Sequence, residues 1–143
     1  MAQCFGTAST QREEALRRAG CQAARPMSAE RNVAVIDAFV KAYNDQRIDD
    51  AAAMYAPEGR LRHVTRGIDV QGRDAIRKLM SDALEMLPGR QADSVHVVAA
   101  GDIVVTEHHY EARDAESNEP VTFDFCHIFR LKDGQIVDHK EYG

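Results

Sequence analysis

Residues 121–142 read VTFDFCHIFRLKDGQIVDHKEY, and this stretch decides how the rest of the chain is interpreted. Alternate positions from Val121 to Leu131 are apolar except for His127, so an extended strand places all of them on one face. Residues 132–134 predict a tight turn, and residues 135–142 predict the return strand. A histidine among phenylalanines needs either a buried hydrogen-bond partner or a pocket, because an unpaired polar ring is costly to bury.

Composition excludes several classes of function. The chain has 143 residues, a net charge of −5 and a pI near 5.6. This length predicts one domain, and the acidic balance argues against nucleic acid or an anionic membrane as the main partner. No apolar run approaches the roughly 20 residues that a membrane span needs. The three cysteines have no disulfide or zinc spacing, so we expect a reducing, cytoplasmic location, with Cys126 on the outer face of its strand.

Residues 1–27 differ from the remainder. They are rich in arginine and contain no continuous apolar segment of the kind found in secretory signals. We expect a mobile N-terminal extension over residues 1–27 and one folded domain over residues 28–143, with Ser28 as the N-cap of the first helix.

Hydrophobic periodicity predicts three helices and a series of strands. The helices are expected at residues 28–44, 48–55 and 73–87. The strands are expected at 60–65, 93–100, 103–113, 121–131 and 135–142, with a further short strand within 67–72. Successive strands joined by short turns favour an antiparallel meander, and the helices before it make the fold α+β.

Six histidines lie outside the N-terminal extension, and four of them are candidates for chemistry. His127 and His63 share faces with apolar residues, which leaves two interpretations open: a hydrogen-bonded core histidine or a pocket-lining acid/base. His96 and His109 are expected to face solvent. No strand contains a His-x-His pair, and adjacent strand residues point to opposite faces, so no metal site is predicted. Nucleotide-binding and nucleophile motifs are also missing, so no cofactor is predicted.

Four segments carry a family resemblance. AFVKAYNDQRIDDAAAMYAPEGRLR, GRDAIRKLM, VVAAGDIVVTEHHYEA and FCHIFRLKDGQIVDHKEY together resemble the SnoaL-like proteins of the nuclear transport factor 2-like superfamily. That superfamily includes ketosteroid isomerases and limonene epoxide hydrolase, and the resemblance spans about residues 29–142. It implies a cystatin-like, cone-shaped α+β barrel in which three N-terminal helices pack on a strongly curved antiparallel sheet. It also implies a pocket for a small hydrophobic ligand and a homodimer through the outer sheet face.

The resemblance assigns residues to the pocket. The positions of the two ketosteroid isomerase aspartates are similar to those of His63 and His127, and the position of its tyrosine falls near Phe39. The Asp-Arg-Asp set of epoxide hydrolase falls at Tyr110, His108 and Glu141. We expect the pocket wall to contain Phe39, Tyr43, Tyr55, Leu61, His108, Phe123, Phe125, Phe129 and His139.

The resulting hypothesis is acid/base chemistry without a cofactor on a small hydrophobic carbonyl or hydroxyl compound. The reaction would be an isomerisation, cyclisation, dehydration or hydrolysis. His127 or His63 would move the proton, Tyr110 would donate to a developing oxyanion, and Glu141 would orient a histidine or water. The alternative is a non-catalytic ligand-binding or protein-interaction module of the same fold.

Overall fold

A computed structural model describes residues 28–143 and shows three α-helices and six strands within that range. The expectation for residues 1–27 lies outside the described residues. The elements are α1 (Ala29–Asn44), α2 (Ile48–Ala53), β1 (Tyr55–His63), a 3₁₀ turn (Val64–Arg66), β2 (Ile68–Gln71), α3 (Arg73–Met86), β3 (Gln91–Ala100), β4 (Ile103–Arg113), β5 (Pro120–Lys132) and β6 (Gln135–Tyr142).

The six strands form one curved sheet in the order β2-β1-β6-β5-β4-β3. The fold is α+β, as predicted, but the expectation of a wholly antiparallel sheet was wrong. Strand β1 pairs with β6 in parallel, whereas the other neighbours are antiparallel. A parallel pair needs a long connection, and here most of the chain separates the two strands. β2 and β3 lie at opposite edges, so the sheet does not close into a barrel.

The helices cover one face of the sheet, called the inner face below. Helix α1 begins at Ser28, whose side chain accepts a hydrogen bond from the Arg31 backbone, and it packs on β3 and β4. Its buried Ile36 and Phe39 meet Ile76 of α3 and strand residues such as Phe129 in the core. Burying these side chains supplies the main driving force for folding.

The region after α2 differs from the prediction. The helix ends at Ala53 rather than at Tyr55, and Tyr55 is the first residue of β1. Pro57 and Gly59 lie within an irregular part of β1, where the register with β6 shifts. A Cβ on Gly59 would lie 2.9 Å from the Ile136 carbonyl oxygen, so the close approach of β6 requires glycine. The strand then ends at His63 rather than at Thr65.

A bulge in β6 corrects a second prediction. Strict alternation places Ile136 and His139 on opposite faces, yet both are buried on the inner side. Arg130 pairs with Asp138 and the next residue of β5 pairs with Ile136, so Val137 is the extra residue. The bulge re-aims the remainder of the strand, as such insertions do, and it keeps His139 and Glu141 on the inner side with Ile136.

The outer face of the sheet carries the exposed polar residues that the pattern predicted. His96 is exposed and pairs with Glu107, and His109 is half-buried and pairs with Asp124. Cys126 is exposed and lies on the opposite face from His127. In the described part of the chain, no helix has the length and apolar character needed to cross a bilayer.

Candidate active site

Five buried side chains on the inner face form one chain of hydrogen bonds, in the order Tyr55, His139, His127, Tyr110, His108. The Tyr55 hydroxyl lies 2.7 Å from His139 Nδ1, and His139 Nε2 lies 2.9 Å from His127 Nδ1. His127 Nε2 lies 2.9 Å from the Tyr110 hydroxyl, which is 3.4 Å from His108 Nδ1. The chain therefore links β1, β6, β5 and β4 across the sheet.

Neutral imidazoles make these four bonds interdependent. Each neutral ring donates from one nitrogen and accepts at the other. If Tyr55 donates to His139, then His139 donates to His127, His127 donates to Tyr110, and Tyr110 donates to His108. The bonds from Tyr55 to Tyr110 can also run in the reverse direction, and the Tyr110 oxygen can accept from His108 as well as from His127. A change of tautomer at His139 therefore changes the tautomer of His127.

Burial keeps the three rings neutral. His108 and His139 are each only 1% exposed, and desolvation lowers the pKa of His108 to about 4 and that of His139 to about 3. The pKa of His127 is also well below its ordinary value, first because of burial and then because of the neighbouring His139 and His108. Desolvation disfavours the charged imidazolium in each case.

Aromatic packing fixes the ring orientations. Phe129 stacks on His139 with a centroid separation of 4.1 Å and lies nearly parallel to His127 at 5.8 Å. Phe39 meets His139 edge-on from α1. Phe129, one of the phenylalanines around His127 in the β5 sequence, therefore packs against both His127 and His139 and fixes their positions.

Glu141 lies beside the middle of the chain. Its Oε1 is 3.8 Å from His127 Nδ1 and 3.7 Å from His139 Nε2, and its side chain is 19% exposed. Burial raises the pKa of Glu141 to about 7, against the opposing effects of Arg90 and Arg66. The carboxyl group therefore exchanges its proton near neutral pH, whereas the adjacent imidazoles do so only in acid.

Two cavities meet at this carboxyl group. An outer cleft of about 440 Å³ is lined mainly by α3, β5 and the segment after β1. An inner cavity of about 30 Å³ lies against the hydrogen-bond chain and has room for about one or two water molecules. Arg90 and Glu141 are the residues that line both. A ligand in the cleft can therefore extend one functional group toward the chain.

The residues assigned from sequence divide into three groups. The inner cavity is lined by Phe39, Tyr43, Leu61, His108, Tyr110, His127, His139 and Glu141. The outer cleft is lined by His63, Phe123, Phe125 and again Glu141. Tyr55 and Phe129 are fully buried behind the site and line neither cavity, which corrects their assignment to the pocket wall. The Tyr55 hydroxyl forms a hydrogen bond with His139, and the Phe129 ring stacks on the His139 ring.

His63 lies apart from the hydrogen-bond chain. It is buried at the end of β1, packs edge-on against Phe125 with centroids 5.1 Å apart, and neither ring nitrogen has a hydrogen-bond partner. Its pKa is lowered, first by burial and then by the charge of Arg66. It faces the outer cleft and contributes a polar group to its wall.

Arg90 is the site residue that the sequence interpretation missed. It follows the Pro88-Gly89 turn after α3, and its guanidinium lies 4.3 Å from the centroid of the Tyr110 ring and 4.9 Å from that of Phe123. An arginine just beyond a helix ordinarily faces solvent, and its sequence context offers no periodicity. Only the sheet curvature shows that this position faces the cavities.

Three potential metal ligands also converge here. One atom each from His127, His139 and Glu141 lies within 4.8 Å of the other two. The prediction of no metal considered pairs within single strands and did not consider pairing across β5 and β6. The residues could hold a divalent cation in place of the proton now shared by the two imidazoles, with the tyrosine hydroxyls fixing their other nitrogens.

The sequence profile of the SnoaL-like domain matches residues 36–139. The chain belongs to the SnoaL-like domain family. The match covers most of the described residues and includes the lining of both cavities except Glu141 and Gly143. This confirms the family expected from the four sequence segments.

Solved structures of the same fold support this assignment. A protein of Catenulispora acidiphila with a ketosteroid isomerase-like fold, in complex with trimethylamine, superposes with a TM-score of 0.72 at 17% identity, over 76% of this chain and 84% of that one. An epoxide hydrolase from M. tuberculosis superposes with a TM-score of 0.69 at 19% identity, over 80% of this chain and 83% of that one. SalBIII, an epoxide hydrolase/cyclase-like enzyme in pyran ring formation, superposes with a TM-score of 0.72 at 15% identity, over 79% of this chain and 90% of that one.

No curated protein matches the chain. At these identities the solved structures establish the fold, and the chemistry has to be argued from the residues of this site.

Proposed function

We propose that this SnoaL-like protein is a cofactor-independent acid/base enzyme acting on a small hydrophobic carbonyl or hydroxyl compound. The observation that carries the proposal is Glu141, a carboxyl group with a pKa of about 7 where the two cavities meet. A general base works best when its pKa lies near the operating pH. The enzymatic neighbours of this fold support an enzyme of small molecules as the general class.

Glu141 is a better proton acceptor than the histidines named from sequence. His127 uses both ring nitrogens within the hydrogen-bond chain, and its protonation is opposed by burial. His63 faces the cleft but also resists protonation. We therefore assign proton transfer to Glu141 and assign His127 the role of positioning Tyr110, which reverses the roles proposed from the sequence.

Tyr110 is placed to donate to a developing oxyanion. Its bond to His108 is the longest of the chain at 3.4 Å, so its proton is the one most easily redirected to a ligand oxygen in the inner cavity. His127 then donates to the Tyr110 oxygen from the other side. When Glu141 takes a proton from the carbon next to a carbonyl, the C–H electron pair forms an enolate, and Tyr110 donates to its oxygen.

Hydrogen exchange tests this minimal reaction without knowledge of the natural substrate. Cyclic ketones and 1,3-diketones are incubated with the protein in D₂O, and deuterium incorporation next to the carbonyl is followed by NMR. Glu141→Gln should slow the exchange by about 10²- to 10⁴-fold. Glu107→Gln, the same substitution on the exposed outer face, should exchange at the wild-type rate.

The proposal is wrong if no compound exchanges faster than in buffer, or if Glu141→Gln exchanges as fast as the wild type. Compounds that bind without exchanging would instead support the non-catalytic ligand-binding module.

The homodimer remains a prediction with its own test. Val98 is 66% exposed on β3, an edge strand of the sheet, and pairs with Val105 of the outer face, which supports association through that face. Light scattering at tens of micromolar should give twice the chain mass, and a monomer would contradict the prediction. The cytoplasmic location and the folded unit over residues 28–143 also remain predictions.

A further inference from the structure

Arg90 is a buried cation that the protein leaves without a counter-ion. It is 9% exposed, and its Nε has no hydrogen-bond partner. Among residues 28–143, no carboxylate oxygen lies within 4.0 Å of its guanidinium, although seven other arginines in this range make such pairs or bind a backbone carbonyl. Leaving a buried charge unpaired is costly, and buried arginines ordinarily have an anionic partner.

Neighbouring rings leave Nε of the guanidinium without a partner. The group lies over the rings of Tyr110 and Phe123, which are themselves stacked nearly parallel, with Tyr43 and Phe125 farther away. These contacts, together with an electrostatic contact to the Tyr110 hydroxyl, compensate part of the desolvation. Nε still has no hydrogen-bond partner, and the in-plane N–H donors of a guanidinium match the two oxygens of a carboxylate.

The backbone around Arg90 is held firmly. Asn44 at the end of α1 bonds both the N–H and the carbonyl of Ala92, and Gln91 donates to the Asn44 carbonyl. Gly89 has a φ of +71°, a conformation that glycine adopts without strain and that forms the turn before Arg90. The arginine is thus presented to the cavities from a fixed position.

We infer that Arg90 binds a carboxylate on the ligand, so that the substrate class of this site is small apolar carboxylic acids. Arg90 borders both cavities, which places the ligand carboxylate at their junction and the apolar body against Leu79, Met86 and Phe123 in the outer cleft. The inference names the ligand class of the proposed active site and rests on ligands binding there. A single arginine near the carboxyl of Glu141 suits one negative charge better than a doubly charged phosphate.

Matched acid and amide pairs test the inference by binding alone. Cyclohexanecarboxylate and phenylacetate are compared with their amides by calorimetry and thermal shift at pH 7.5. The wild type should bind each acid at least tenfold more tightly than its amide. Arg90→Gln should lose that preference and Arg90→Lys should retain part of it. Arg66→Gln, at an exposed arginine of the outer cleft, should reduce the preference less than Arg90→Gln does, and the control Arg130→Gln, on the outer face of the sheet, should leave it unchanged.

Glu141→Gln provides a second, independent variant. Removing its negative charge should tighten binding of the acids and leave the amides unchanged. This result does not depend on catalysis, so absence of proton exchange would overturn the proposed reaction and leave the carboxylate assignment standing.

Three results would overturn the assignment: no acid binds at millimolar concentration, acid and amide bind wild type equally, or Arg66→Gln rather than Arg90→Gln removes the preference. The first two need no variant, so they hold even if substitutions at Arg90 prevent folding. A purely structural Arg90 would lower the melting temperature when replaced but leave the acid-to-amide ratio unchanged.

Discussion

His108 and His109 are adjacent in the chain, yet they behave in opposite ways. His108 faces the helices, is 1% exposed, and has a pKa lowered to about 4 by burial. His109 faces solvent, where a hydrogen bond from its Nδ1 to Asp124 raises its pKa. The period of two in β4 thus separates an uncharged, hydrogen-bonded inner face from an outer face where charge is solvated.

The comparison extends to the glutamates. Glu107 on the outer face of β4 is exposed and pairs with His96, whereas Glu141 on the inner face of β6 is half-buried beside neutral imidazoles. The inner face therefore lowers the pKa values of its histidines and raises the pKa of its carboxyl group toward neutral pH. Desolvation opposes charge of either sign, and this common cause explains both shifts.

Acid should destabilise the fold through the inner histidines, and this is the largest expected effect. Their folded pKa values lie below 6.5, so the unfolded chain binds more protons as the pH falls. The stability that depends on these neutral rings is fully present above pH 6.5 and is lost between pH 6.5 and about 4. His108 alone accounts for a loss of about 3 kcal/mol. Glu141 opposes this loss between pH 7 and 4.5.

Urea denaturation at pH 8, 6.5, 5 and 4 measures this loss. The surface aspartates with lowered pKa values take up protons below pH 4, so they do not change the free energy of unfolding between pH 6.5 and 4. Because the titration of Glu141 acts in the opposite direction, the same series is measured on Glu141→Gln, in which a free energy of unfolding that is constant from pH 8 to 5 would show that the inner histidines are not buried and neutral.

Removing one inner histidine should cost far more than removing an outer one. His139→Ala leaves a cavity and strands the Tyr55 hydroxyl and His127 Nδ1, which predicts a loss of about 3–5 kcal/mol. His109→Ala removes an exposed ion pair and should change stability by less than about 0.5 kcal/mol. Denaturation at pH 7.5 compares the two, and equal losses would contradict the division between faces.

Glu141→Gln should stabilise the protein in alkaline solution. The native carboxyl has a pKa of about 7 and the unfolded one about 4.5, so ionisation costs folding free energy as the pH rises from 4.5 to 7. Gln cannot ionise, so the variant should gain about 2–3 kcal/mol at pH 8 and almost nothing at pH 5. Glu107→Gln should show no such gain at either pH, and a destabilised Glu141→Gln at pH 8 would refute the predicted cost.

Tyr55→Phe should have the smallest energetic effect but a clear spectroscopic one. It removes a hydrogen bond at the end of the chain and should cost about 1–2 kcal/mol. Because the His139–His127 bond couples the tautomers of the two rings, ¹⁵N NMR of the ring nitrogens should show any change of tautomer at both His139 and His127. Tyr142→Phe, an exposed tyrosine of β6, is the control, and a change confined to His139 would disprove the coupling.

The sequence predicted the inner face of β4 and β5 well because both are regular strands. Period two placed His108 and Tyr110 on one face of β4, the family resemblance directed that face and His127 inward, and the structure buries all three. It could not show that His127 contacts His139, because that contact depends on the β5–β6 register. The bulge at Val137 decides which β6 residues face inward, and no local pattern indicates it.

The remaining failures have similar physical causes. Tyr55 was assigned to a helix because alanines precede it and proline follows, whereas pairing with β6 makes it the start of a strand. Arg90 was missed because burial of an arginine follows from tertiary packing alone. Local propensity predicts elements, but contacts between distant elements assemble the site.

The pKa of Glu141 tests the central claim most directly. Selective ¹³C labelling of glutamate carboxyl groups, with Glu141→Gln to assign the resonance, allows its titration to be followed by NMR. We expect a midpoint of about 7, well separated from the exposed glutamates, because the carboxyl group lies among neutral rings at the junction of two cavities. A midpoint near 4.5 would show a solvated carboxylate and would contradict its role as the proton acceptor.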